Sequence, residues 1–353
     1  MSAVVNAEPL SDQDQPPELS RRRGRFGRSG VSRMIQRRVI TSLVTIWGCT
    51  VLVFAFRYLL PGGPAQVMIG GTGGGGDFGT TTAHSLKVLE HRLGLDRPLV
   101  TQYFSWLNGL IHGNLGTSYY SQEPVTTVLK QRLVPSLQLI IGALIVILVL
   151  AFVFGIYAAI RNDRAGGRAV IAISGLGVSV PDFWVGTIAA GVLGLELHIF
   201  PAVGYTPLSG GLWANLHSII LPVLILSIVG GAFMIRHLHS SMTAALRSPY
   251  IRTAWAMGLP PRQVYLNCAL RNALGPVLTF VPFIVFGLIG GTVLVEYIFN
   301  IPGEGSEILS SVSNQDYPVI QAIVLLVAVI VGVLNILADV AYALVDPRVR
   351  RSV

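Results

Sequence analysis

The chain has 353 residues, of which 52% are hydrophobic and only 12% are charged, and its mean hydropathy is +0.63. Soluble domains are usually about one-quarter charged, so the composition excludes an ordinary soluble protein and indicates an integral membrane protein. A net charge of +8 would suit nucleic acid, but the basic residues are confined to particular loops, and no nucleic-acid partner is predicted. Cys49 and Cys268 lie in unrelated contexts and predict no disulfide framework.

The N-terminal part predicts a disordered tail and then a membrane anchor. Residues 1–33 are polar, and their arginine run suits contact with anionic lipid or a role in setting topology. Residues 34–60 contain an apolar run long enough to cross a bilayer. A cleaved signal peptide is the alternative, but the run is too long for one and no small-residue cleavage site follows it. We therefore expect a retained transmembrane helix.

Residues 61–133 form a polar segment that we expect on the exterior side. Its glycine-rich part, 70–79, predicts a linker, and short amphipathic helices are predicted around Leu99–Leu110 and from Pro124 to Leu133. The core at 134–345 contains five further apolar segments, each near or above the ~20 residues that a spanning helix needs. These segments lie at about 135–160, 169–196, 217–240, 275–298 and 318–345.

Lysine and arginine are distributed unevenly between the two sides of the membrane that six such spans would define. Both tails, the turn at 161–168 and the stretch 236–271 hold 19 of the 25 basic residues, whereas the opposite side holds five. Loops rich in lysine and arginine are usually cytoplasmic. We therefore predict a multi-pass protein of the plasma or inner membrane, with the N-terminus and the tail at 346–353 both in the cytoplasm.

The cytoplasmic loop at 241–274 carries a well-delimited short helix. Ser248 and Pro249 predict its start, and Gly258 before two prolines predicts its end. A helix of about nine residues is unstable alone, so it must pack against something. Its apolar stripe could lie on the membrane or dock a soluble partner, and it consists of Ile251, Ala254, Trp255 and Gly258.

The chain lacks the usual motifs of enzymes. It has no Walker motif, no H-E-x-x-H and no G-x-S-x-G, so no catalytic residue, metal ligand or bound cofactor is predicted. His237 and His239, next to the basic loop, are expected to be solvated rather than to bind a metal. Polar residues inside apolar spans usually face a cavity. The candidates predicted to line a substrate pathway are Ser179, Asp182 and Asn335.

The short helix and its flanks resemble the coupling loop of binding-protein-dependent ABC importers, whose general pattern is E-A-A-x-x-x-G. The corresponding stretch runs from Arg252-Thr253-Ala254 to Gly258, and its Arg-Thr replacement is similar to the variant in dipeptide and oligopeptide permeases. Further similar motifs are Leu60-Pro61-Gly62 and Asp316-Tyr317-Pro318, and the resemblance covers about residues 34–351. The long exterior segment after the first helix resembles the "B" permease of the pair.

The resemblance implies an all-α fold, the six-helix bundle of a type I ABC importer permease with an exterior insert after helix 1. It implies a second permease subunit, two cytoplasmic ATPase subunits that bind ATP and magnesium, an exterior solute-binding protein and surrounding membrane lipid. The chain itself would conduct solute without catalysis. The residues implied to couple with the ATPases are Tyr250, Ile251, Arg252, Thr253, Ala254, Trp255 and Gly258.

Other classes of protein fit parts of this pattern. A secondary transporter would use ionisable residues in the membrane for ion coupling and would not need a docking loop. A membrane-embedded hydrolase would release product without partners. Among importers, permeases for nickel, haem, glutathione or sugars are similar to those for peptides, because the binding protein selects the solute. The resemblance favours di- or oligopeptides.

Overall fold

A computed structural model describes residues 29–59, 88, 91 and 96–345. Within these residues the structure is helical, and its only β-type pairing is an isolated bridge between Thr117 and Pro124. The predicted all-α class is therefore confirmed. Most of the predicted disordered tail, the glycine-rich linker at 70–79 and the tail at 346–353 lie outside the described residues.

The main helices are numbered here in chain order, and π-helical stretches lie within α3, α5 and α8. The helices are α1 (Ser29–Leu59), α2 (Leu99–Ile111), α3 (Val125–Ile160), α4 (Ala165–Ser179), α5 (Asp182–Glu196), α6 (Leu212–Leu246), α7 (Pro249–Ala256), α8 (Pro261–Phe299), α9 (Glu304–Ser313) and α10 (Tyr317–Val345).

In the described part of the chain, four helices are long and apolar enough to cross a membrane: α3, α6, α8 and the Tyr317–Ala338 part of α10. Helices α4 and α5 pass the same test together, but they are bent by 90° and form either a broken span or a re-entrant pair. Helix α1 contributes a shorter apolar stretch, Val39–Ala55. The multi-pass fold is confirmed, and the number of six spans stays a prediction.

Helix α3 begins before the predicted boundary between the exterior segment and the core. A separate short helix was expected to end at Leu133, but α3 runs through this position, with Pro135 inside it. The first turns of α3 are buried against the start of α10, and this burial favours a continuous helix. The small apolar cluster there consists of Val125, Val128, Leu129, Val319, Ala322 and Ile323.

Helix α6 lies at the centre of the bundle, where it packs against α3, α4 and α8. Its most apolar stretch is 67% buried inside the protein, whereas the corresponding stretches of α3 and α8 are each 28% buried. The outer helices therefore leave much apolar surface for lipid or for another membrane chain. Met234, Leu238 and Met242 are fully buried side chains of α6 in the main core.

Helix α2 packs on one end of α1. The hydroxyl oxygens of Thr50 and Tyr103 are 2.8 Å apart, and the ring of Phe54 meets that of Tyr103 edge-on at 5.4 Å. Trp106 lies next to the same phenylalanine, at 5.7 Å. Tyr103 and Trp106 thus both face α1, whereas Leu99, the first residue of α2, is 56% exposed.

Contacts at the two ends of the bundle agree with the predicted division of the loops. At one end, Asn162 in the basic turn after α3 lies 2.9 Å from His239 near the end of α6, and α7 follows α6 directly. At the other end, Ser118 before α3 donates a hydrogen bond to Asp316 before α10. The basic turn at 161–168 and the loop that carries α7 therefore lie at the same end.

Candidate functional site

Helix α7 has the boundaries that its sequence predicts. Ser248 occupies the N-cap position with extended backbone (φ −72°, ψ 151°), and Pro249 is the first helical residue. Gly258 has a φ of +76°, the left-handed conformation that glycine adopts at little cost. The Ser248 hydroxyl makes no cap bond to α7 and donates instead to the carbonyl oxygen of Ala245. The start of α7 therefore depends on Pro249 and the backbone.

One face of α7 is buried in the protein's own bundle. Ile251 is 1% exposed and Ala254 is 4% exposed, and both belong to the main apolar core. The same core contains Val264 and Ala269 from the first turns of α8, against which α7 packs. Burial of this face stabilises a helix that is too short to be stable in water.

Two side-chain contacts at the edges of α7 add to this packing. The side-chain amide of Asn272 on α8 donates a hydrogen bond of 2.7 Å to the Tyr250 hydroxyl. On the other edge, the rings of Trp255 and Tyr265 meet edge-on, with centroids 5.9 Å apart. Both partners lie on α8, so α7 is held by the first turns of a membrane helix.

The exposed face of α7 differs from the face that the sequence indicated. The stripe containing Ile251 and Ala254 was expected to meet either the membrane or a soluble partner, but both side chains face the protein's own core. Trp255 lies at the edge and is 41% exposed. Helical periodicity shows which face is apolar, and the surface that covers it is here intramolecular. The outward residues are Arg252, Thr253, Ala256 and Met257.

Helix α8 connects α7 with the opposite end of the molecule. It has 39 residues, which at 1.5 Å per residue corresponds to about 58 Å. Pro276 and Pro282 lie inside it and each removes a backbone hydrogen bond, which permits bending. Because α7 is attached to its first turns, a displacement of α7 moves the beginning of α8 directly.

Asp182 lies at the bend between α4 and α5. It is half-buried, and its Oδ1 is buried without a hydrogen-bond partner among the described residues. Oδ2 lies near α8, 3.9 Å from the position that a Cβ on Gly291 would occupy. Ser179, on the other side of the bend, is exposed and donates to the carbonyl oxygen of Gly175 at 3.2 Å. A carboxylate with one unpartnered oxygen beside a helix break suits a polar pathway.

Asn335 lies elsewhere, in a cavity of about 400 Å³ between α1 and α10. Polar α1 residues, including Ser42 and Thr45, and Phe286 of α8 line this cavity, but Asp182 does not. The structure therefore does not bring Asn335 and Asp182 into one site. The pathway roles of Ser179, Asp182 and Asn335 stay predictions, and only the first two are neighbours.

The histidines near the basic loop have protein contacts. The ring of His237 stacks on Phe280 with centroids 4.4 Å apart, and its Nε2 lies 3.1 Å from the carbonyl oxygen of Pro276. His239 contacts Asn162, as described above. Both histidines remain partly exposed, and α6, α8 and the turn after α3 supply their protein contacts.

A buried polar cluster at the end opposite α7 was not predicted. Glu296, near the end of α8, is fully buried. Its Oε1 accepts a hydrogen bond of 2.6 Å from the Ser136 hydroxyl of α3, and its Oε2 accepts one of 3.0 Å from the backbone N–H of Ser306. The Ser136 hydroxyl also accepts the backbone N–H of Glu304 at 2.7 Å. The cluster joins α3 and α8 to the first turn of α9.

Two glycines make room for the carboxylate of Glu296. A Cβ on Gly303 would clash with this carboxylate, and a Cβ on Gly305 would lie 2.6 Å from the Cα of Val293. Placing a carboxylate at the N-terminal turn of a helix is electrostatically favourable. The available sequence signal was that Glu296 is the only acidic residue of α8 and closely precedes these glycines.

Comparison with known proteins shows the family. A family model described as "Binding-protein-dependent transport system inner membrane component" matches residues 151–351, more than half of the chain. This chain belongs to that family. A second model, for the N-terminal part of such membrane components, matches residues 31–140. The predicted resemblance to ABC importer permeases is confirmed, and the region that contains α7 lies within the first match.

Three relatives are similar over nearly their whole length. The dipeptide transport system permease protein DppB of Lactococcus lactis is 36% identical, over 90% of this chain and 99% of its own. The oligopeptide transport system permease protein AppB of Bacillus subtilis is 34% identical over 89% and 98%. The glutathione transport system permease protein GsiC of Escherichia coli is 33% identical over 89% and 97%. The chain is an inner-membrane permease component of a binding-protein-dependent transport system.

Proposed function

We propose that this permease imports peptides, of the di- or oligopeptide class, and forms the translocation pathway together with a second permease subunit. Two cytoplasmic ATPases that bind ATP and magnesium drive the cycle, and an exterior solute-binding protein delivers the peptide. The chain itself catalyses no reaction and binds no cofactor. The observation that carries this proposal is α7, a short helix that is fixed to α8 on one face and exposed on the other.

The ATPase contact is proposed for the outward face of α7. Met257 is 67% exposed, and Trp255 and Tyr250 are each about two-fifths exposed, so apolar and aromatic surface remains for a partner. Arg252 and Thr253 lie on the same exposed side and can supply polar contacts. Ile251 and Ala254 then act from the inner face, as anchors that hold α7 on α8.

The proposed transmission follows α8. When the ATPases close on ATP, they displace α7, and the attached first turns of α8 move with it. At the other end of α8, Glu296 is bonded to α3 and to the first turn of α9. A movement of α8 therefore strains contacts at both ends of the bundle, as alternating access requires.

The proposed orientation places α7 and both termini in the cytoplasm. It follows from the excess of arginine in the tails and in the loops at the α7 end. The peptide class is supported by the relatives, which are named for dipeptide, oligopeptide and glutathione transport. Uptake of labelled di-, tri- and hexapeptides by cells that express the complete transport system would test it, with nickel, haem and glutathione as competitors.

A matched pair of substitutions tests the docking role. Met257→Glu places a charge at the exposed C-terminal end of α7, and Ala165→Glu places the same charge at the exposed first residue of α4, at the same end of the bundle. We expect Met257→Glu to reduce co-purification of the ATPases, or ATP hydrolysis stimulated by the binding protein, at least tenfold. Ala165→Glu should change neither.

The same preparations separate the proposal from its alternatives. Uptake that persists when ATP is depleted but the proton gradient is kept would indicate a secondary transporter. Product release by the purified chain alone would indicate a hydrolase. Normal ATPase binding and normal coupling in Met257→Glu would contradict the proposed docking face.

A further inference from the structure

The carboxyl group of Glu304 has no role in the mechanism above. Glu304 is the first residue of α9 and is 8% exposed, and both of its carboxyl oxygens are buried without a hydrogen-bond partner among the described residues. Its backbone N–H is bonded to Ser136 of α3, which fixes the position of the residue. An ionised carboxylate without a partner is costly to bury, so this environment favours the neutral acid.

The charged groups around Glu304 also favour its neutral form. Glu296 faces it from α8, and Glu307 faces it from α9 itself. The cation in this group is Arg132 of α3, whose Nε lies 3.0 Å from Oε2 of Glu307. Residues 317–338 of α10 contain no acidic or basic side chain. Two carboxylates thus share one cation, and a third negative charge would be repelled.

We propose that Glu304 is a proton-binding site that controls the seating of α9 on α3 and α8. While the carboxyl group carries its proton, the first turn of α9 remains bonded to Ser136 and Glu296. When the proton leaves to water, the buried negative charge drives α9 away from α3 and α8, beginning with its first turn, and water solvates the carboxylate. Loss of the proton therefore breaks the connection between the end of α8 and α9.

The direction of the pH dependence follows from the acidity of Glu304. Burial, and then the charges of Glu296 and Glu307, raise the pKa of Glu304 from 4.5 to about 8 in the seated state. Glu304 therefore binds its proton more tightly when α9 is seated than when α9 is free. The equilibrium constant for seating of α9 is therefore highest below pH 4.5. It falls about tenfold per pH unit as the pH rises to about 8, and it is constant above that pH.

This site gives the transport system a response to pH at the end opposite α7. In the proposed orientation that end faces the exterior, so alkaline medium would loosen α9 while the cytoplasmic contact with the ATPases stays intact. The exterior location rests on the proposed function. The proton site does not, because it is measured on the full permease chain in lipid nanodiscs without ATPases or binding protein.

Cysteine labelling measures the seating of α9. Ser311 on α9 is 2% exposed, and its neighbour Ser310 is exposed. Cys49 is first replaced by serine and Cys268 by alanine. Ser311→Cys then reports the unseating of α9, and Ser310→Cys corrects for the ionisation of the thiol with pH. We expect the ratio of the two maleimide labelling rates to rise up to tenfold per pH unit between pH 5 and pH 8.

Two further substitutions show which group is responsible. Glu304→Gln keeps the shape of the side chain and removes its charge, so the labelling ratio should become independent of pH. Glu307→Gln removes a repelling charge and the partner of Arg132, so the ratio should still rise with pH but should level off at a lower pH. A ratio that does not vary with pH, or one that varies equally in Glu304→Gln, would overturn the proposal. Loss of the dependence in Glu307→Gln alone would also overturn it.

Discussion

Shortening Ile251 to alanine should release α7 from the bundle without unfolding the bundle. The side chain of Ile251 is 1% exposed and lies in the main core between α7 and α8. Replacing a buried isoleucine by alanine costs about 2–5 kcal/mol, from lost burial and from the cavity that remains. An eight-residue helix has almost no stability of its own, so the lost free energy weakens the packing of α7 on α8.

Amide hydrogen exchange of the purified permease measures this loss locally. A change of about 2 kcal/mol, the lower end of the range, corresponds to roughly 30-fold faster exchange of the α7 amides. The central helix α6 should keep its protection. Met257→Ala is the matched control, because this side chain is 67% exposed and its removal should change stability by less than about 0.5 kcal/mol.

The two variants should fail in different ways when the ATPases are present. Ile251→Ala should impair coupling because α7 no longer moves α8, whereas Met257→Ala should impair ATPase binding while α7 stays seated. Unchanged exchange of α7 in Ile251→Ala, or equal loss of protection in both variants, would refute the assignment of the inner and outer faces.

Three other substitutions have definite expected outcomes. Gly258→Val should cost about 1–2 kcal/mol because of the left-handed backbone, and it should lower ATPase co-purification without loss of the bundle, while Gly258→Asn should be tolerated. Gly305→Ala should lower the melting temperature of the full chain, because its Cβ would lie 2.6 Å from the Cα of Val293. Gly287→Ala should leave the melting temperature unchanged, because nothing lies within 4 Å of its Cβ. Asp182→Leu should leave expression unchanged and reduce uptake per assembled complex, and unchanged uptake would place Asp182 outside the pathway.

The local features of this protein could be predicted from its sequence. Composition and the long apolar runs predict a multi-pass helical membrane protein, because a bilayer admits few other structures. Pro249 and Gly258 delimit α7 because each favours a particular backbone conformation at its own position. These effects act over one helical turn and need no information about distant parts of the chain.

Tertiary structure decided which surfaces and side chains meet. The periodicity of α7 showed an apolar stripe, and only the fold showed that α8 covers Ile251. Ser136 and Glu296 are separated by 160 positions, and neither residue alone indicates that a shared hydrogen bond joins α3 to α8. Asp182 and Asn335 are similar as polar residues in apolar helices, yet they lie in different places: Asn335 lines the cavity between α1 and α10, whereas Asp182 lies near Gly291 of α8. Long-range burial determines these outcomes, and it depends on how the helices pack rather than on local sequence.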